Sequence, residues 1–285
     1  MTKSPQRLRR SVAAAVLPHW GVSLSAGHSL GAGLSAIRHF GVGAGAVAAC
    51  LLSAAASAQD CRLVAIGTAT VRAATDAGIV LEDGRTVRLA GLDLPNPAQA
   101  APSAGTALVL KRLAAAPQTD RYGRLVAHVF VSENNAERWF QADAVRRGLA
   151  RVARVGDPAC ARALLAEEQA ARAAKLGLWA EPVYVMNKAE DHAEVLKQRG
   201  RFALVEGTVL SVRESGGTIY VNFGRRWSED FTVTIAKRNE RAFTAAGLEP
   251  RTLAGKRVRI RGWIEERGGP WVEAARPEQI EVVNN

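Results

Sequence analysis

Arg257, Arg259 and Arg261 alternate with Val258 and Ile260 and are followed by Trp263. On a strand that alternation puts the three guanidiniums on one face. A basic face with aromatics beside it is a usual way to hold single-stranded nucleic acid, so these four residues are candidate nucleic-acid contacts. Tyr220, Trp227 and Trp271, standing among Arg225, Arg226 and Arg238, extend the same mixture. The competing reading is a set of core aromatics and a solvated basic strand. Cys61 and Cys160 form an even pair once Cys50 is set aside with the leader. In an oxidising compartment they are most simply a disulfide tying the first strand to the start of a late helix, the alternative being two unpaired buried thiols. His128 alternates with apolar strand neighbours and has no His or Cys at metal-ligand spacing, which reads as a half-buried strand histidine. The sequence contains no nucleotide-cofactor loop, nucleophile triad or zinc cluster.

The elements that carry these residues are mostly short strands. Residues 62–72 and 78–82 alternate apolar and polar side chains, Asp83-Gly84 makes a turn, and 85–92 continues as a strand. After a Pro-rich stretch at 95–102 come an apolar run at 106–110 and a strand at 125–131. Helices are expected at about 136–147, stopped by Gly148, and 158–176, stopped by Gly177. From 181 to 200 the chain is polar and weakly periodic, which predicts a linker. A second strand-rich block follows over 201–285, with five strands and a short helix near 239–246 between the third and fourth. That order is the order of an oligonucleotide-binding (OB) barrel. The fold class expected is mainly β with helices (α+β): one small barrel with helical packing over 61–180, then a second OB-like barrel.

The first 58 residues contain five basic and no acidic side chains and are rich in Ala, Gly and Ser. Arg38-His39, an apolar run over 40–55 and Ala56-Ser57-Ala58 have the order of a cleaved signal peptide, with cleavage expected after Ala58. The run is shorter than the roughly 20 residues a membrane span needs, so no transmembrane segment is expected in the mature chain. Val47-Ala48-Ala49 before Cys50 leaves a lipoprotein-type alternative. The location expected is periplasmic or secreted. Without those five cations the net charge falls from +11 to +6, a mild bias toward polyanions.

Four strings carry a family resemblance: 87–95, reading VRLAGLDLP; 120–124, DRYGR; 147–152, RGLARV; and 175–179, KLGLW. In this order and spacing they make the first domain similar to the staphylococcal nuclease (thermonuclease-like) family. The resemblance implies a barrel of OB type and hydrolysis of phosphodiester bonds in DNA and RNA with calcium. It places Arg88 and Arg124 on the two arginines that stabilise the phosphate, and Asp93 on a calcium ligand. Such chemistry needs carboxylates for a hard cation, a carboxylate to activate water, and cationic donors for the phosphorus oxygens.

Two positions depart from the pattern. Asn96 stands where the family has its catalytic glutamate, and a carboxamide cannot take a proton from water. Ala77 stands at a calcium ligand, where Asp76 substitutes only if the turn shifts by one residue. The function expected is therefore an exported protein that binds nucleic acid or another phosphate-bearing polyanion through a partly degenerate nuclease site, with weak or absent hydrolysis. An active calcium-dependent endonuclease and an envelope protein-interaction module with a protein partner are the alternatives.

Overall fold

The computed structural model describes residues 61–133, 136–154, 156–184, 186–226 and 228–283. The leader, its cleavage point and Trp227 lie outside the described residues. The first part of the chain runs β1 (Leu63–Thr75), β2 (Gly78–Leu81), β3 (Thr86–Leu89), β4 (Leu92–Asp93), α1 (Pro97–Ala100), β5 (Ala107–Leu113), β6 (Leu125–Glu133), β7 (Ala136–Trp139), α2 (Phe140–Arg146), β8 (Arg151–Val152) and α3 (Pro158–Ala173). β1 is long enough to serve two neighbours, β5 along its first half and β2 along its second. Register breaks between Ala65 and Gly67 and between Val71 and Ala73 bend it. β2 pairs with β3, β3 runs parallel to β6, and β6 returns to β5, so five strands close a barrel of OB topology. Period-two alternation fills it: Ile79, Leu81, Val87, Leu89 and Leu110 all point inward.

Two helix expectations are corrected. Residues 136–139 are not helical but form β7, paired with β6 through Phe130↔Trp139 to Glu133↔Ala136. The Trp139 indole stacks on Phe130 at 6.2 Å, and this cross-strand packing overrides the helix propensity of Ala, Glu and Arg. α3 ends at Ala173 rather than 176. Asp157 starts it, its Oδ1 accepting from the Ala159 and Cys160 N–H groups. Gly148 adopts φ +69 after α2, and a Cβ there would collide with the Leu176 carbonyl that precedes Gly177. Two of the four family strings therefore touch, each glycine making room for the other's backbone.

The second part continues with β9 (Asn187–Lys188), α4 (His192–Leu196), β10 (Phe202–Thr208), β11 (Ser211–Ser215), β12 (Thr218–Asn222), β13 (Thr232–Ala236), α5 (Glu240–Ala245), β14 (Arg257–Trp263), β15 (Glu265–Arg267), β16 (Gly269–Glu273) and β17 (Ile280–Val282). β10 and β11 act as one bent strand, pairing with β14 and β12 respectively. β13 runs parallel to β16, and β16 returns to β15, the continuation of β14. This is a second closed barrel of the same topology, with Ile219, Val221, Val233, Ile235, Val258 and Ile260 in its core. The segment 181–200 carries β9 and α4; Val195 is fully buried, and β9 pairs with β10.

The two barrels share a buried seam. Ala171 and Trp179 pack with Phe202 and Leu204. Beside them Arg261 of β14 meets Glu168 of α3, both at 0% exposure: Nη2 donates to Oε1 at 2.9 Å, and Nη1 donates to Oε2 and to the Val152 carbonyl, each at 3.0 Å.

Candidate anion site and its altered carboxylates

The nuclease-like residues are delivered by three turns and a strand. β3 buries Val87 and Leu89, so Arg88 between them faces out. Asp76 and Ala77 form the two-residue turn between β1 and β2. In the 120–124 turn the Asp120 Oδ1 accepts from the Tyr122 and Arg124 N–H groups, and its Oδ2 accepts from Arg124 Nε at 2.8 Å. Those bonds hold the Asp120 carboxyl below its ordinary range, against the opposing effect of its partial desolvation. The other end of the same guanidinium, Nη1, donates to the Ala77 carbonyl at 2.9 Å. The result is one cavity of about 210 Å³ lined by Asp76, Arg88, Asp93 and Arg124, with Phe202 and Trp263 of the second barrel on its wall.

The pairing within it differs from what a metal site needs. β4 lies antiparallel to β8 with Asp93 directly opposite Arg151. Asp93 Oδ2 accepts from Arg151 Nε at 3.0 Å and Nη2 at 2.7 Å, and the same Nη2 donates to the Phe202 carbonyl at 2.9 Å. Burial raises the Asp93 carboxyl above its ordinary value despite Arg151. Asn96 is exposed and is not among the lining residues. Calcium takes about six to eight oxygen ligands, while the cavity offers two carboxylates, one already held by a guanidinium, and a carbonyl already accepting from Arg124. Among the described residues the only close group of three potential ligands is Cys61, Asp157 and Cys160, and the two sulfurs are joined to each other. Asp93 is therefore not free to take calcium while Arg151 holds it.

The Arg88 side chain has no hydrogen bond or ion pair among the described residues. It also lines two adjoining cavities along the seam. One, of about 250 Å³, contains Arg154, Phe202 and Trp263; the other, of about 590 Å³, contains Arg62, Arg154, Arg276 and His128. Arg62, Arg154 and Arg276 likewise lack a carboxylate partner among the described residues. His128 is 1% exposed, with its ring 5.5 Å from that of Trp139 and neither nitrogen hydrogen-bonded. Burial pushes it down to about 4, so at neutral pH it is uncharged. It is more deeply buried than its strand alternation suggests.

The basic strand β14 is placed otherwise than its sequence suggests. Its arginines do share one face, but the face closes along the strand, from an exposed Arg257 to an Arg261 fully buried against the first barrel. Arg261 is sealed on Glu168, which removes it as a nucleic-acid contact. Arg259 donates to Glu206 at 2.7 Å and to Glu281 at 2.8 Å, and Arg257 pairs with Glu206 at 2.8 Å. Burial alone would raise the Glu281 carboxyl, but Arg172, Arg259 and Arg261 together hold it below its ordinary value. These arginines are spent on carboxylates. Of the four candidates Arg257 and Trp263 are exposed, and Trp263, at 53%, lies on the edge of the Arg88 cavity. Sequence reasoning missed Arg151 and Glu168, the two side chains that decide how this region is charged.

Cys61 and Cys160 form a disulfide with Cα atoms 4.6 Å apart, linking the start of β1 to α3. No helix among the described residues is long and apolar enough to cross a membrane. No curated protein matches the chain. Residues 86–181, which contain Arg88, Asp93, Arg124 and the α3 scaffold, match the family described as staphylococcal nuclease homologue, and this first barrel is thermonuclease-like.

Proposed function

We propose that this is an exported protein that binds nucleic acid or a similar phosphate-bearing polyanion at the seam beside Arg88, with weak or absent phosphodiester hydrolysis. The observation that carries the reading is the contrast between two neighbours: the Arg88 guanidinium pairs with no carboxylate among the described residues, whereas Asp93 is occupied by Arg151. A free guanidinium suits a phosphate oxygen, and Arg62, Arg154 and Arg276 extend the positive lining along the seam. Hydrolysis lacks a base at Asn96, a loss worth about 10²- to 10⁴-fold in rate. The disulfide and the leader composition support an oxidising compartment outside the cytoplasm.

An active nuclease with a rearranged carboxylate set is the second reading, favoured by the convergence of Asp76, Asp93, Arg88 and Arg124 on one cavity. The test is single-stranded DNA binding and cleavage by the purified protein, with calcium and with chelator, beside Arg88→Ala. The expected result is salt-dependent binding weakened by Arg88→Ala and no calcium-dependent cleavage. Calcium-dependent cleavage abolished by Arg88→Ala would establish the second reading instead.

A further inference from the structure

The second barrel carries a groove of about 1150 Å³ across the outer face of β11, β12 and β13. Strand alternation builds its floor. Ile219, Val221, Val233 and Ile235 point into the core, so Tyr220, Asn222, Thr232 and Thr234 point the other way. Tyr220 lies opposite both Arg213 and Thr234, and Asn222 lies opposite both Ser211 and Thr232. The floor is made of hydroxyls, an amide and one exposed phenol ring rather than of apolar side chains. Arg213, Arg225 and Arg238 line the same groove and are exposed, and their side chains have no hydrogen bond or ion pair among the described residues. At one end the Arg267 guanidinium lies 3.5 Å over the Trp271 ring, closing the groove with a flat cationic surface.

We infer that this groove is a binding site for single-stranded nucleic acid, with Arg213, Arg225 and Arg238 on the phosphates and Tyr220 stacking a base. The volume exceeds the roughly 300–1,000 Å³ of small-molecule sites, which favours an extended ligand. Three unpaired cations favour a polyanion, and the aromatic and guanidinium faces favour one with flat rings over an acidic polysaccharide. The strand 2–3 face is also where OB barrels present such sites. The inference lies on the other barrel from the Arg88 cavity and shares with the proposed function only its class of ligand.

The experiment is fluorescence anisotropy of a labelled oligothymidylate over a salt series, using the protein and the variants Arg213→Ala/Arg238→Ala, Tyr220→Ala and Arg88→Ala, with a sulfated oligosaccharide as a second probe. Each lost phosphate contact lowers the log–log salt slope by about 0.7, so the double variant is expected to bind more weakly with a slope reduced by about 1.4. Tyr220→Ala is expected to weaken binding about 5- to 150-fold with its slope unchanged. All four side chains are exposed, so the variants keep the fold, which thermal melting checks. If Arg88→Ala abolishes binding and the groove variants match the parent, the groove inference is overturned and the Arg88 reading stands. If the groove variants lose binding and Arg88→Ala does not, the groove stands and the Arg88 reading falls. Capture of the sulfated oligosaccharide without oligothymidylate overturns the groove inference.

Discussion

Replacing Arg261 by Met removes the cation from a fully buried pair while keeping most of the side chain's volume. Glu168 then loses two of its guanidinium bonds but keeps the Val152 N–H at 2.6 Å and the Arg172 guanidinium at 3.4 Å. The Val152 carbonyl loses its Arg261 donor as well. Breaking a buried ion pair costs about 3–5 kcal/mol when the surviving charge is left alone. The two remaining partners of Glu168 place this loss toward the lower end, about 3 kcal/mol. Urea unfolding of Arg261→Met, Glu168→Gln and the double variant measures it. The expected coupling between the two sites is about 2–3 kcal/mol, with the double variant less destabilised than the sum of the singles. A single variant within about 0.5 kcal/mol of the parent, with DNA affinity lost instead, would refute the buried-seam account. It would return Arg261 to the nucleic-acid face that its strand pattern suggests.

Other expectations are independent of the seam. The folded His128 titrates near 4 against an ordinary value of 6.5, so between those values the unfolded chain binds the extra proton. Stability is full above pH 6.5 and falls as pH drops toward 4, by about 3 kcal/mol in total. Replacing His128 with an uncharged residue of similar size flattens that part of a stability–pH curve, and an unchanged curve would contradict the burial argument. Reducing the Cys61–Cys160 bridge, which closes a sequence separation of 99 residues, is expected to cost about 4–5 kcal/mol in urea unfolding; Cys160→Ala is expected to match the reduced protein. Asn96→Glu alone is expected to leave calcium-dependent DNA cleavage at background, because Arg151 still holds Asp93. A gain of about 10²-fold or more would show that the missing base was the main defect.

The strands were legible because their alternation is strict: Ile79, Leu81, Val87 and Leu89 in one barrel, and Ile219, Val221, Val233 and Ile235 in the other, each mark an inner face. β7 was not legible, since Ala136, Glu137 and Arg138 favour a helix and only their pairing with β6 makes them a strand. The seam left a mark that went unread. Glu168 continues the spacing of Ala161, Leu164 and Ala171 along the buried stripe of α3, and a carboxylate on an apolar stripe calls for a buried cation. Arg261 has the matching defect, an arginine on a strand face that proves to be covered. Nothing in the one-dimensional pattern distinguishes a solvated face from one covered by another domain.

The site follows the same logic at shorter range. Arg88, Asp93 and Arg124 were legible from local strings, and the structure brings all three to one cavity. The occupation of Asp93 was not, because its partner is set by tertiary pairing. Arg151 reaches Asp93 only because β8 lies beside β4, and its second bond goes to Phe202 at the start of the second barrel. One guanidinium thus neutralises the carboxylate that the resemblance assigns to metal and fastens that carboxylate to the neighbouring barrel. Freeing Asp93 for a cation would require breaking a contact that also helps hold the seam closed. Arg88 carries no such obligation. That asymmetry, an occupied Asp93 beside an unpaired Arg88 side chain, is the ground on which the proposed function favours holding a phosphate over cleaving its ester.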